Sequence, residues 1–160
     1  MQKVTVISVG RLKEAYFKAA EGEYAKRLKG FCDLNIMEIP QEVLPQHPSK
    51  GQVLSALETE GDNIITKIPK GAEVVPLCIE GKILSSEDLA KKLEDNSAFG
   101  NGNLAFVIGG SYGLSDKVKA LGTLKLSMSK MTFPHRLARI MLLEQLFRGY
   151  KIISGGEYHK

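Results

Sequence analysis

Three short segments of the sequence carry residue types that suit the binding of a nucleotide-like ligand. They are LCIEGK at residues 77–82, IGGSYG at residues 108–113 and MSKMTF at residues 128–133. Each contains or follows the end of an apolar run that is typical of a strand. Ligands of open α/β sheets bind beyond the carboxyl ends of the strands. We therefore expect these three segments to lie where a ligand can reach them.

The glycine-rich segment can bring a ligand close to the main chain. Gly109 and Gly110 end an apolar run, Gly113 stands just before a helix-like segment, and glycine has no Cβ to keep a ligand away. The pattern is not GxGxxG and follows the fourth predicted strand, so the dinucleotide-binding fingerprint is absent, as is the phosphate loop GxxxxGK[ST]. Taken alone, GGSYG also fits an ordinary glycine turn.

The segment MSKMTF alternates polar with apolar side chains between a predicted strand and a helix that starts with proline. Its backbone can donate and accept hydrogen bonds at an adenine edge, while its apolar side chains cover the ring. The alternative is a hydrophobic staple at the start of the helix, which Phe133 could supply alone.

Nucleophilic and metal chemistry have little support in the sequence. Ser111 is not in a GxSxG elbow. Cys32 and Cys78 lie far apart without nearby histidines, which favours buried thiols and no metal site. The histidines lie in separate segments, at His47, His135 and His159.

Strand-like and helix-like segments alternate along the whole chain and would position these residues. The predicted strands cover residues 3–9, 34–39, 74–79, 104–108 and 124–128, and helical spacing follows each of them. Ser85 with Asp88 predicts a capping box, and Ser115 predicts the cap of a short helix. The last helix is expected to end near Phe147, before Gly149. This order predicts one α/β domain over residues 1–160, with a mostly parallel sheet flanked by helices.

Positive charge is concentrated in the C-terminal third. The whole chain carries +4, whereas residues 115–160 hold nine lysines and arginines against three acidic residues, a net charge of +6. This distribution indicates either a surface for a polyanion or a solvated basic helix face. The last helix also contains LARIMLLEQLF, which is more apolar than one buried stripe requires. It packs either between elements of its own domain or against a second subunit.

The composition is that of an ordinary globular domain, with 43% hydrophobic and 25% charged residues. No apolar run approaches the roughly 20 residues of a membrane span. The opening MQKVTVISVG has the alternation of a strand and not the pattern of a signal peptide. We expect a cytoplasmic protein without a membrane partner.

Together these segments resemble the ribosomal RNA large subunit methyltransferase H family, within the knotted SPOUT class. The resemblance begins with VISVGRLKEAYFKAAEGEYAKRL and continues through LCIEGKILSSEDLA and FVIGGSYGL. It then takes in LSMSKMTFPHRLARIMLLEQLFRGYKI and the terminal EYHK, and so covers essentially the whole chain. It implies a SPOUT-type fold with a C-terminal trefoil knot, a homodimer and the cofactor S-adenosyl-L-methionine.

The resemblance also implies a substrate and individual roles. The substrate would be N3 of a pseudouridine in a stem-loop of 23S rRNA, in the large subunit or the assembled ribosome. The family's cofactor positions fall on Leu77, Gly109, Met128, Ser129, Lys130, Met131, Thr132 and Phe133. We place Tyr158, His159 or both beside the target base as catalytic residues. The expected RNA contacts are Arg136, Arg139, Arg148, Lys151 and Lys160.

The sequence alone leaves two other classes of function open. A non-catalytic RNA-binding module would bind RNA with strong salt dependence and transfer no methyl group. A Rossmann-like nucleotide-binding enzyme would bind NAD or a nucleotide and not S-adenosylmethionine.

Overall fold

Five strands and five helices alternate along the chain in the computed structural model, which describes residues 1–160. The strands β1 to β5 are Gln2–Val9, Cys32–Ile39, Glu73–Ile83, Asn103–Ile108 and Leu126–Ser127. The helices α1 to α5 are Ala15–Leu28, Lys50–Lys67, Ser86–Ala98, Asp116–Ala120 and His135–Ile153. The strands form one sheet in the order β2-β1-β4-β3-β5. Every pair is parallel, so the predicted α/β fold is confirmed, with an entirely and not only mostly parallel sheet.

The central strands β1 and β4 are buried on both faces of the sheet. Val4, Val6 and Phe106 belong to a cluster that also contains buried residues of α1, α3 and α5. Ile7 and Val107 belong to a second cluster, with buried residues of α2 and α4. The continuous apolar runs of these strands are therefore explained by helices on both faces.

Local signals at the helix starts are confirmed where they were predicted. Ser85 and Asp88 form a capping box at α3, and the Ser115 side chain accepts a hydrogen bond at the start of α4. A further capping box, formed by Ser49 and Gln52, starts α2. Such caps contribute about 1 kcal/mol each to stability. None of the helices is long and apolar enough to cross a membrane.

Strand β3 is longer than predicted because it changes its partner. It pairs with β4 over residues 73–76 and then with β5, with a register irregularity between Leu77 and Lys82. Both of these residues are paired with Leu126. A Cβ on Gly81 would lie 2.6 Å from the Lys125 carbonyl oxygen, so glycine allows this close approach. Strand β5 itself is only two residues long.

The predicted end of the last helix is wrong, since α5 continues through Gly149 to Ile153. A Cβ on Gly149 would lie 2.9 Å from Leu93 Cδ1 and 3.5 Å from Ala90 Cα, both in α3. The glycine therefore lets two helices approach closely instead of ending one. Helix α5 packs against α1, α3 and the sheet, which accounts for much of its apolar surface within this chain.

Replacing Gly149 with leucine is expected to destabilise the protein by about 1–3 kcal/mol, because the added side chain overpacks the contact between α3 and α5. Gly22→Leu in α1 is the matched control, since a Cβ there meets no atom within 4 Å. The control is expected to be neutral or slightly stabilising, because leucine favours helix over glycine. Urea unfolding of both variants measures the difference. Equal stability of the two would contradict the close-packing role of Gly149.

Candidate functional site

A cleft of about 820 Å³ lies at the carboxyl ends of the strands, where the three chemically distinctive segments meet. Its size is in the range of small-molecule sites. Seven of the eight expected cofactor residues line it: Leu77, Gly109, Met128, Ser129, Met131, Thr132 and Phe133. The exposed Lys130 is the eighth and does not line the cleft.

The glycine-rich loop forms one wall of the cleft and is a tight turn. A Cβ on Gly109 would lie only 2.3 Å from the carbonyl oxygen of Gly113. Gly110 forms an isolated antiparallel bridge with Gly113, whose φ of +83° favours glycine. The turn therefore requires its glycines for its own geometry, and it presents the resulting backbone to the cleft.

The loop of residues 128–133 also lines the cleft and leaves most of its backbone polar groups without protein partners. Two hydrogen bonds stabilise it internally. The Met131 N–H donates to Ser129 Oγ over 3.0 Å, and Ser127 Oγ donates to the Ser129 carbonyl over 3.0 Å. The other backbone donors and acceptors stand beside apolar side chains such as Phe133 and Leu77. This combination fits the edge and faces of an adenine ring.

The titratable groups of the cleft are mostly paired or held neutral. Glu80 accepts a hydrogen bond from Lys119 at 2.6 Å, which lowers the pKa of the carboxyl group. Burial raises the pKa of the Cys78 thiol, which disfavours its nucleophilic thiolate form. Burial, with the nearby Arg136, lowers the pKa of His135 and favours its neutral ring.

His135 lines the cleft, whereas its sequence context predicts only a place at the start of a helix. Its Nε2 is buried and has no hydrogen-bond partner in the protein. Buried polar atoms are normally paired, so this nitrogen is available to a ligand or water. Its position in the cleft could not be read from spacing, because it depends on how α5 meets the sheet.

The expected catalytic residues do not line the cleft of their own chain. The Tyr158 ring packs edge-to-face on Phe147 at 4.9 Å between ring centroids, and the Arg148 guanidinium lies 4.8 Å from the Tyr158 centroid. His159 Nε2 lies 2.7 Å from Glu87 Oε1 in α3. The C-terminal tail is thus folded back along α5. The Tyr158 hydroxyl contacts Glu144 of that helix. Glu144 lies about 13 Å along the helix axis from the cleft end of α5.

Arg139 was expected to contact an RNA phosphate, and this expectation is wrong because Arg139 is an interior residue. Its side chain is 2% exposed, and its guanidinium forms ion pairs with Glu21 at 2.5 Å and Glu38 at 2.8 Å. Arg139 was expected among the RNA contacts together with Arg136, but the carboxylates of α1 and β2 hold its guanidinium in the interior.

The other expected RNA contacts do not form one surface. Arg148 donates two hydrogen bonds to Glu144, at 2.9 and 2.6 Å, and also contacts the tail. Arg136 lies at the cleft end of α5, where its nearest carboxylate is Glu14 at 3.5 Å. Lys151 lies in the last turn of α5, and Lys160 ends the tail that folds back along this helix.

The parallel sheet with its cleft at the strand ends defines an α/β ligand-binding architecture, and comparisons with known proteins place it in a family. The family model described as "Predicted SPOUT methyltransferase" matches residues 2–159. Over 157 residues the chain is 48% identical to the ribosomal RNA large subunit methyltransferase H of Alkaliphilus oremlandii and to that of Clostridium tetani. A protein of that name from Clostridium botulinum is 46% identical. Each alignment covers 98% of this chain and 99% of the relative. The chain therefore belongs to the SPOUT methyltransferases, and within them to the ribosomal RNA large subunit methyltransferase H family.

Replacing Arg139 with methionine is expected to cost about 3 kcal/mol of stability, because two carboxylates around a buried site lose their partner. Arg27→Met is the matched control, since the Arg27 side chain is 41% exposed, forms its one ion pair with Glu23 and otherwise lies over the rings of Tyr24 and Phe147. That loss is expected to stay below about 1 kcal/mol. Thermal and urea unfolding check both values. A cost at position 139 no larger than at position 27 would show that the buried pairs do not stabilise the fold.

Proposed function

We propose that this chain is an S-adenosylmethionine-dependent methyltransferase acting on N3 of a pseudouridine in a stem-loop of 23S rRNA. The observation that carries the proposal is the strand-end cleft, where apolar walls stand beside unpaired backbone groups of residues 128–133. Membership of the SPOUT methyltransferases supports the reaction class. The printed name of the relatives supports a large-subunit rRNA substrate. The proposed setting is the large subunit or assembled ribosome in the cytoplasm.

The residues present in the cleft fit S-adenosylmethionine. Leu77 and Phe133 offer apolar surface for the adenine, and the backbone of residues 128–133 offers donors and acceptors at its edge. The turn at Gly109 offers main chain without a Cβ. When bound, S-adenosylmethionine supplies an electrophilic methyl group on a sulfonium. The protein's contribution is to hold the target nitrogen in line with that methyl group and to keep water out.

The substrate side of the reaction requires groups that orient the base and accept the N3 proton. We assign these roles to Tyr158 and His159. Because the tail lies along α5 outside its own cleft, it would act in the cleft of a second subunit. A homodimer with shared active sites follows from this assignment. The tail follows Gly155, whose φ of +73° makes the turn back along α5 and marks where its course could change.

The proposal includes a single SPOUT domain over residues 1–160 with a trefoil knot in its C-terminal half. What supports the knot is membership of the SPOUT methyltransferases, the class to which the sequence resemblance assigns a knotted C-terminal half.

The proposed function predicts label transfer from methyl-labelled S-adenosylmethionine to ribosomes that lack the modification. Assembled ribosomes and free 23S rRNA are incubated separately, and the label is located by digestion and mass spectrometry. The expected product carries the methyl group on N3 of one pseudouridine. Salt-sensitive RNA binding without transfer would favour an RNA-binding module instead. Binding of NAD without binding of S-adenosylmethionine would favour a Rossmann-like enzyme.

Deleting residues 158–160 is expected to lower methyl transfer at least 100-fold, while S-adenosylmethionine affinity by calorimetry stays within about twofold. The reason is that Tyr158 and His159 are assigned to the target base, whereas the residues that line the cofactor cleft all lie outside the tail. Full activity of the truncated protein would refute the catalytic role of the tail.

A mixing experiment tests whether the tail acts across a dimer. The experiment combines the tail-deleted chain with a second variant, Gly109→Val. The valine side chain would collide with the Gly113 carbonyl and disturb the cleft. Tail-deleted chains and Gly109→Val chains are each expected to be inactive, and co-expression is expected to restore part of the activity in mixed dimers. If mixed dimers form but stay inactive, the tail does not work in the partner's cleft.

A further inference from the structure

A second cavity, of about 430 Å³, lies between the carboxyl ends of β1 and β2 and the start of α5. We call it the basic cavity, and its lining residues are Arg11, Lys13, Glu38, Ile39, Pro40, Gln41 and Arg136. They come from three segments that are distant in sequence. The fold, and not local sequence, therefore assembles this site.

The positive charge of the basic cavity is only partly neutralised by the protein. Arg11 and Lys13 are exposed, and neither forms an ion pair. Arg136 has its nearest carboxylate, Glu14, at 3.5 Å, and its Nε is buried without a hydrogen-bond partner. The one acidic lining residue, Glu38, is already bound by the Arg139 guanidinium and the Leu12 N–H.

The start of α5 adds to the field in this cavity. Pro134 provides no side-chain cap, so the first backbone N–H groups of this 19-residue helix lack a side-chain acceptor. The positive end of the helix dipole therefore lies beside three cationic side chains. Unneutralised cations held near one another by the fold favour an anionic ligand.

The basic cavity lies directly beside the cofactor cleft. The position that a Cβ would take on Gly10 is 3.4 Å from Gln41 Oε1 and 3.7 Å from His135 Nε2. Gln41 lines the basic cavity and His135 lines the cleft. The two sites are thus separated by little more than these two side chains. A polynucleotide with a base at the cleft can place a neighbouring phosphate in the basic cavity.

We propose that the basic cavity binds a backbone phosphate of the RNA substrate, with Arg11, Lys13 and Arg136 as its contacts. The proposal rests on the function inferred above, because it takes RNA as the substrate whose base enters the cleft. Guanidinium groups bind phosphate oxygens in a planar, two-point geometry, and lysine adds a point charge. This contact would fix the position of the target nucleotide relative to the methyl donor.

The test uses the full-length double variant Arg11→Gln/Lys13→Gln, which removes both unpaired cations and keeps polar side chains. Its binding to 23S rRNA and to unmodified ribosomes is measured across a salt series. We expect roughly tenfold weaker binding at low salt, and a slope of log affinity against log salt that is smaller by about 1. In methylation, KM should rise about tenfold while kcat and S-adenosylmethionine affinity change less than about twofold.

The matched control is Lys67→Gln/Lys70→Gln. Both lysines are exposed and form no ion pair. They lie near the amino-terminal end of β3, whereas the cleft lies at the carboxyl ends of the strands. The control removes the same amount of charge, but at a distance from the basic cavity. It should therefore keep the wild-type salt slope and KM. A double variant that behaves like this control would overturn the phosphate site while leaving methyl transfer intact.

Further measurements distinguish free phosphate from RNA phosphate as the ligand of the basic cavity. They also distinguish a failure of the phosphate site from a failure of the proposed methyl transfer. Calorimetry with inorganic phosphate shows whether free phosphate binds, and such binding with an unchanged RNA salt slope overturns the proposal. Loss of dimer in the double variant by analytical ultracentrifugation, without a change in salt slope, would assign the cavity to a subunit contact instead. The RNA salt slope needs no methyl transfer, so the subsite is judged even if the proposed reaction fails.

Discussion

The buried guanidinium of Arg139 is the interaction on which the geometry of the cleft edge depends. Burying an unpaired cation costs several kcal/mol, so the fold can hold Arg139 only where carboxylates meet it. Glu21 of α1 and Glu38 of β2 do so, and Glu38 also accepts the Leu12 N–H from the loop after β1. One side chain of α5 thus fixes a helix, a strand and a loop. Arg136 and His135 start the same helix one turn earlier, so their positions follow from this contact.

The cleft itself arises where β3 exchanges one neighbour for another. Up to Pro76 it is paired with β4, and from Leu77 it is paired with β5. The carboxyl ends of β3 and β4 therefore no longer need to run side by side, and the loops after β4 and β5 occupy the space between. Close approach is possible only without side chains, as at Gly109 in the cleft wall, where a Cβ would lie 2.3 Å from the Gly113 carbonyl oxygen. Backbone exposed in this way is what a nucleoside edge can recognise.

The sequence predicts well whatever depends on neighbours along the chain, and poorly whatever depends on another element. The apolar run of β4 and the capping box at Ser85 are local patterns, and both were found. Gly149 has the sequence of a helix end, and only the proximity of α3 explains why it lies inside α5. The burial of Arg139 could not be predicted from the sequence, because its carboxylate partners are more than 100 positions away along the chain. Arg11 follows the end of β1, so the strand-end rule that picked out the cleft segments applied to it as well.

The charge asymmetry of the sequence has a different meaning once it is placed on the fold. Arg139 and Arg148 contribute to the basic C-terminal third, yet carboxylates of α1, β2 and α5 neutralise them. The cations of α5 that remain are Arg136, in a group at the cleft end, and Lys151, in the last turn of this helix of about 28 Å. Arg11 and Lys13 belong to the cleft group although they come from the other end of the chain. In the proposed dimer, a tail that enters the partner's cleft would bring Lys160 with it. The RNA surface would then be assembled from the two chain ends of different subunits, and not from one basic helix.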